Sequence, residues 1–316
     1  MGDSTGAERT IGGVRAGGFA AGGALRYWGW RAAAATVGRA PRPVAYTAAA
    51  AIGHGAYWLW PRGRRAMREN FARVLGTRER AVLDRAGRRS LAGYLRYVVD
   101  FMALQRHGWR PPRLVGEDAF AQLDLLLARG KGAVVVCMHY GNWDAGAAAA
   151  AARGYPVAVV AESLGDPRLD EEVLGTREQL GMQVIRLERA GPSMVRALRR
   201  NGLLALLIDR PVPGEGVAVE FFGERVEVPA GPARLALATG AALVPVAFRR
   251  LNEAGDAFAI DGDFSILPCD NGTEACVREL TQRVMQAHER FIRAEPTQWY
   301  MFRELWTRRE NGAVPV

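Results

Sequence analysis

The sequence predicts an α/β fold: a central, mostly parallel sheet with helices on both faces, preceded by an N-terminal helical, membrane-associating segment. Three observations predict it. From residue 113 onward, short apolar runs such as AVVVCM (133–138) and LLALLI (203–208) alternate with helical stretches. Gly or turn residues punctuate each junction. Before residue 61, by contrast, the chain is rich in Ala, aromatics and Arg.

The elements follow in order. Residues 1–23 are Gly/Ala/Ser-rich and are expected to be loose. Residues 24–60 read as one or two helices carrying Tyr27, Trp28, Trp30, Tyr46, Tyr57, Trp58 and Trp60, flanked by Arg26, Arg31, Arg62, Arg64 and Arg65. Indole and phenol rings have an apolar body and a polar end, so this mixture fits a helix at a lipid headgroup layer. A core helix with surface arginines is the competing reading. The stretch 44–60 is short and weakly apolar for a span of about 20 residues, with Thr47 and His54 inside it, so it is expected to lie on a membrane or pack on the body. Residues 68–76 and 79–104 are helical by period, with Leu91, Leu95, Val98, Val99 and Met102 on one face. Then come a helix near 117–129, a strand at 133–138, a helix at 142–152, a strand at 156–161 and a helix at 169–181. A strand (183–187), a helix (191–201), strands at 203–208 and 217–222, a helix (231–239), a strand (243–248) and a last helix at 272–294 complete the pattern. The expected organisation is thus a loose 1–23, a helical membrane-interface region 24–110, an α/β core 111–306 and a tail 307–316.

Charge is uneven. The formal net charge is +9, and residues 1–73 hold eleven arginines against Asp3, Glu8 and Glu69. A basic front on a balanced body points to an anionic partner, a membrane surface or a nucleic acid. The basic region lacks a recognisable nucleic-acid motif and interleaves its charge with Ala and Trp, so an anionic membrane surface is expected and nucleic acid is not. Three cysteines are too few for a disulfide framework; Cys137 reads as a small core residue, and Cys269 and Cys276 could pair but are expected to be reduced. No Cys/His cluster has metal-ligand spacing, so no metal is expected. The start lacks the charged, apolar and small-residue regions of a signal peptide, so none is expected, and a peripheral position on the cytoplasmic face of the membrane is expected.

In open α/β sheets, ligands gather beyond the carboxyl ends of the strands. His139, Glu162, the pair Asp209 and Arg210, and the pair Arg249 and Arg250 all follow strands there. In HYGNWD (139–144), Gly141 and Asn142 suit a tight corner, and Asp144 in the first helical turn can face the imidazole. A carboxylate on one ring nitrogen leaves the other free to take a proton from an alcohol. A structural histidine beside a helix-capping aspartate fits the same spacing. No GxSxG, phosphate-binding GxxxxGK[ST] or GxGxxG segment is present. A histidine base would therefore act directly on a bound alcohol, with a separate activated acyl donor.

HYGNWD resembles the histidine–four-residue–aspartate motif of glycerolipid acyltransferases. VVAESLGDPRLDEEVLGTREQLGMQVI and LLALLIDRPVPGEGVAVEFFGERVEVPAGPARLALATGAALVPVAFRR resemble successive regions of lipid A late acyltransferases and phosphatidylinositol mannoside acyltransferases, and NFARVLG (70–76) looks like their N-terminal Asn-containing helix. The resemblance implies O-acyl transfer from acyl-CoA, a co-substrate and not a bound cofactor, to a hydroxyl of a lipid acceptor. It implies a phosphatidylinositol mannoside acceptor, with a lysophospholipid or lipid A-like glycolipid as the alternative. It makes His139 the general base, Asp144 its partner, and Glu162 and Arg177 a paired acid and base near the site. A third catalytic acid is implied after strand 203–208, with Glu215 the counterpart and Asp209 or Glu220 alternatives; Asp209 and Arg210 are also expected to bind substrate. Phe221, Phe222 and the Ala-rich helix 145–152 are expected to line an acyl groove, and Arg210, Arg249 and Arg250 to meet phosphate. A basic nucleic-acid-binding module and an inactive lipid-binding scaffold are the readings of a different class.

Overall fold

The structure, a computed structural model, describes residues 16–104, 113–187, 190–210, 216–269 and 272–306, with side chains from residue 23 onward. Glu215, the tail 307–316 and the first fifteen residues of the expected loose start lie outside the described residues. Helix begins at Ala16, earlier than the composition suggested. Four helices lead: α1 (Ala16–Arg39), α2 (Arg42–Leu59), α3 (Pro61–Leu75) and α4 (Arg80–Leu104).

Sequence spacing explains how α2 sits. Ala45, Ala49, Gly53 and Tyr57 recur every four residues and are buried, while Val44, Ile52 and Leu59 are exposed. Gly53 lets α2 approach α4 closely, because a Cβ there would stand 2.7 Å from the Ala92 Cα. Pro61 opens α3 at a position whose N–H has no helical partner to lose. Among the described residues no helix is long and apolar enough to cross a membrane.

The rest is the α/β body. Its elements are β1 (Arg113–Val115), α5 (Asp118–Leu127), β2 (Ala133–Cys137), α6 (Trp143–Ala152), β3 (Val157–Ala161), α7 (Pro167–Gln179), β4 (Gln183–Arg186), α8 (Ala190–Arg199) and β5 (Leu203–Leu207). A hairpin of β6 (Gly216–Phe221) and β7 (Glu224–Pro229) follows, then α9 (Gly231–Thr239), β8 (Ala242–Arg250), β9 (Ala257–Gly262) and α10 (Glu274–Ala294). Seven strands form one sheet in the order β1-β9-β8-β2-β5-β3-β4. All neighbours run parallel except β8 and β9, so the expected mostly parallel sheet is present.

Each central strand feeds two cores by alternation. Val134, Val136, Leu204 and Leu243 pack with Leu198, Ala233, Ala236 and Val284 of α8, α9 and α10. Ala133, Val157, Leu203 and Val244 pack on the other face with Leu123 of α5 and Ala148 and Ala150 of α6. Three strands escaped the sequence reading. β1 has only three residues, β7 alternates charges with valine in a hairpin outside the main sheet, and β9 returns antiparallel along β8 after a short turn. The cysteine expectation is corrected too: Cys269 and Cys276 form a disulfide, their Cα atoms 6.5 Å apart and within bridging range.

Candidate active site

Strand register assembles the site. β2 and β5 are parallel neighbours with Cys137 opposite Leu207, so residues 139 and 209 leave the sheet side by side. There the His139 Nδ1 meets the Asp209 Oδ1 at 2.7 Å. The other oxygen, Oδ2, accepts from the His139 backbone N–H at 3.0 Å and from the Trp299 indole N–H at 3.2 Å. Asp209 is fully buried. Burial alone would raise its pKa, but His139 and these donors hold it below the usual carboxylate value. With a carboxylate on Nδ1, the proton belongs on Nδ1 and the lone pair on Nε2.

The turn after His139 is held from two sides. Gly141 has φ 62°, and a Cβ there would lie 2.0 Å from the Phe248 carbonyl oxygen, so only glycine fits. The Gly141 N–H donates to the Gln298 carbonyl and the Asn142 N–H to that of Phe248, while the Tyr300 N–H donates to the His139 carbonyl at 2.7 Å. Asn142 caps α6, its side chain accepting from the Ala145 N–H at 3.0 Å. Its Nδ2 donates to Asp100, whose carboxylate also takes Arg42, Arg250 and Tyr46. Thus β8, α4 and the segment 298–300 all fix the His139 corner.

Asp144 is placed otherwise than the motif suggested. Its oxygens take the Arg177 fork at 2.8 and 3.2 Å and the Tyr97 hydroxyl at 2.7 Å. Burial first, then Asp144, pushes the Tyr97 phenol well above its ordinary pKa, which keeps it a donor. The carboxylate on the His139 ring is therefore Asp209, and Asp144 anchors Arg177. The expected Glu162–Arg177 pair is corrected by the same contacts: Glu162 instead faces Arg210 at 3.8 Å, both well exposed. Arg249 and Arg250 are spoken for as well. Arg249 grips Asp261 through two bonds, and Arg250 is buried against Asp100. Glu220 stands exposed on the β6–β7 hairpin, its backbone N–H bonded to Gln282.

An apolar pocket of about 100 Å³ opens beside this corner. Ala147 and Ala150 of α6 roof it, Val135, Val159, Ala205 and Val244 of the sheet floor it, and Trp143, Asp144 and Arg177 stand in its wall. Small side chains on α6 leave the space. Phe221 and Phe222 do not line it; they pack on each other and on Trp306. Cys137 does, but burial, with Asp209 and Asp144 adding, pushes its thiol up to about 12, so it is no thiolate nucleophile at neutral pH.

Residues 22–308 match the family described as bacterial lipid A biosynthesis acyltransferase. The chain belongs to that family. Relatives agree with the match. The phosphatidylinositol mannoside acyltransferases of two Mycobacterium tuberculosis strains, CDC 1551 / Oshkosh and H37Rv, are each 34% identical over 253 residues, 77% of either chain. That of Mycolicibacterium smegmatis is 33% identical over 257 residues, 77% of this chain and 80% of its own. The protein is thus a lipid acyltransferase. Sequence reasoning missed Trp299, Tyr97 and Asp100. The indole of Trp299 lies in WYMFRELW (299–306), and its bond to Asp209 spans 90 residues, so no local pattern announces it.

Proposed function

We propose that this acyltransferase moves a fatty acyl group from acyl-CoA to a hydroxyl of a phosphatidylinositol mannoside. The observation that carries the chemistry is the His139–Asp209 pair beside an apolar pocket. His139 Nε2 takes the proton of the acceptor alcohol as its oxygen attacks the thioester carbonyl. A C–O bond forms, the C–S bond breaks, and the proton passes from the imidazolium to the departing thiolate. Asp209 fixes the tautomer and stabilises the imidazolium between those steps. The carbonyl oxygen becomes an oxyanion. In the turn, the N–H groups of Gly141, Asn142, Ala145 and Gly146 are committed to other acceptors. Those of Trp143 and Asp144, at the start of α6, are the donors for the oxyanion.

The acyl chain lies under α6, and Asp144 holds Arg177 at the mouth for the polar end of the donor. Arg210, with an open side chain, meets phosphate. Glu215 keeps its proposed role as a further acid of the site. The mannoside acceptor rests on the names of the 34% identical relatives. The enzyme works peripherally on the cytoplasmic face of an anionic membrane, with no nucleic-acid partner; Leu25, Trp28, Ile52, Trp58 and Leu59, all exposed on α1 and α2, support that placement. Incubation with labelled palmitoyl-CoA and a panel of mannosylated phosphatidylinositol, lysophospholipid and lipid A-like acceptors, read by mass spectrometry, tests the reading. A single acylated mannoside product, lost in His139→Ala, is expected; a lysophospholipid or lipid A-like product would replace the acceptor assignment.

A further inference from the structure

A series of aromatic rings connects the outer helices to His139, and the chemistry above leaves the rings of its outer half, Trp60, Phe302 and Tyr94, without a role. Trp60, exposed at the α2–α3 junction, meets Phe302 at 6.1 Å between ring centroids. Phe302 meets Tyr94 at 5.3 Å, Tyr94 meets Tyr97 at 5.7 Å, Tyr97 stacks on Trp143 at 4.1 Å, and Trp143 meets His139 at 5.3 Å. Within the series Tyr97 is buried, but Tyr94, Phe302 and Trp143 are only partly so. Trp143 also stands in the wall of the apolar pocket, so it divides the acyl side of His139 from the side of Tyr94. The Tyr94 side has charge at hand. Burial pushes the Tyr94 phenol above its ordinary pKa and the Arg210 charge opposes that rise, while Arg210 and Glu162 form a loose pair at 3.8 Å whose two side chains are 44% and 59% exposed.

We propose that Tyr94 and Phe302, whose rings stand 82° apart, form an L-shaped aromatic platform for the polyhydroxylated six-membered ring of the acceptor headgroup, the ring stacking on one face and meeting the other ring edge-on, with Glu162 accepting from its hydroxyls and Arg210 donating to its hydroxyls or phosphate. The proposal rests on the acyl-transfer reading of the His139 site. A pyranose or cyclitol ring has hydroxyls around its rim and an apolar C–H face. That face suits the negative face of an aromatic ring, and the rim suits charged groups held loosely enough to exchange partners. An acyl tail would gain nothing from Arg210 and Glu162 and has its own pocket beyond Trp143. A platform serving only membrane contact would run along the surface, whereas this one leads from exposed Trp60 inward to the base. It would deliver a headgroup hydroxyl to Nε2 while the lipid tails stay at the outer helices.

The test is calorimetric binding to the full chain, which needs no turnover. Two soluble probes of equal chain length and charge are used: dioctanoyl phosphatidylinositol carrying one mannose, and dioctanoyl phosphatidylglycerol, which lacks a ring. Wild type is expected to favour the ring-bearing lipid by about tenfold or more, the scale of one or two ring contacts. Tyr94→Leu with Phe302→Leu keeps apolar volume but removes the flat faces; it should erase the preference while leaving affinity for the glycerol lipid and for palmitoyl-CoA unchanged. Tyr94→Phe with Phe302→Tyr should keep it. Equal binding of both probes by wild type, or a preference surviving in the leucine pair, overturns the platform. Weakened palmitoyl-CoA binding in the leucine pair reassigns it to the acyl chain and overturns it equally. An intact ring preference without acyl transfer to any acceptor would sink the catalytic reading and spare this one.

Discussion

At the scale of single residues, Asp209 decides what His139 can do. Its Oδ2 already accepts two N–H bonds, so an asparagine there must turn its oxygen to those donors and its NH₂ to the His139 Nδ1. That arrangement forces the imidazole proton onto Nε2 and removes the base. Asp209→Asn should therefore lower kcat by roughly 10²- to 10⁴-fold with little change in KM, in a protein that still folds. Asp144→Asn should instead loosen Arg177 and raise KM for acyl-CoA. The reverse pattern in steady-state kinetics would return the orienting role to Asp144. A second residue, His288, is buried on α10 with Nε2 unpartnered among the described residues. Burial pushes its pKa down to about 4, against the pull of Asp209 and the Val136 carbonyl. The unfolded chain then binds a proton near pH 6.5 that the fold refuses until about pH 4. Stability must fall as pH drops through that window, by about 2 kcal/mol between pH 7 and 5. Urea midpoints of His288→Leu should lack that part of the decline; an identical decline in both proteins would refute it.

At the scale of elements, α6 and the turn before it unite geometry and specificity. Glycine at 141 lets the chain pass the Phe248 carbonyl, and alanines beyond it leave room for a hydrocarbon chain. Ala147→Phe should shift the preferred donor from palmitoyl to shorter chains. Each methylene denied a place forfeits about 0.8 kcal/mol, or roughly fourfold in kcat/KM. An unchanged chain-length profile would place the acyl group elsewhere. The same elements show what could be read in advance. An apolar run ending in histidine, then glycine and a capping residue, announces a strand, a corner and a helix locally, and His139 was placed on that ground. The partner of the histidine was not local. Asp144 is five residues away in sequence, yet the β2–β5 register brings Asp209, 70 residues away, onto the ring. Likewise the family resemblance implies a Glu162–Arg177 pair, but the fold brings Arg177 of α7 to Asp144 of α6 and leaves Glu162 beside Arg210. Spacing along one element is legible from composition and period; pairing across strands is set by which strands become neighbours.

At the scale of the whole molecule, charge and apolar exposure coincide. Of the thirteen exposed large hydrophobic side chains among the described residues, seven, Leu25, Trp28, Val44, Ile52, Trp58, Leu59 and Trp60, fall between residues 25 and 60, a stretch with four arginines and no acid that runs into Arg62, Arg64 and Arg65. Trp58 is flanked by Arg64 and Arg88, 5.5 and 5.9 Å from its ring, so an apolar surface and cations face the same way. Such a surface binds anionic bilayers through two separable forces. Apolar burial would contribute on the order of 1–2 kcal/mol for each of Ile52, Trp58 and Leu59, insensitive to salt. Arginine near an anionic leaflet contributes about 1 kcal/mol each and is screened beyond roughly 10 Å at 0.1 M salt. The triple change Ile52→Ser, Trp58→Ser and Leu59→Ser should cut partitioning onto phosphatidylglycerol vesicles by about 100-fold or more at every salt concentration. Arg62→Gln with Arg64→Gln should weaken it at low salt and matter little at 0.5 M. Vesicle flotation separates the two. Their buried counterparts Ala45, Ala49 and Gly53 face α4, so neither set disturbs the packing that holds α2 to the body, and acyl transfer to a short-chain, soluble acceptor should persist in both. Flotation unaffected by the triple change would move the membrane contact off α2, and flotation lost together with soluble-acceptor turnover would mean that the outer helices support the site itself.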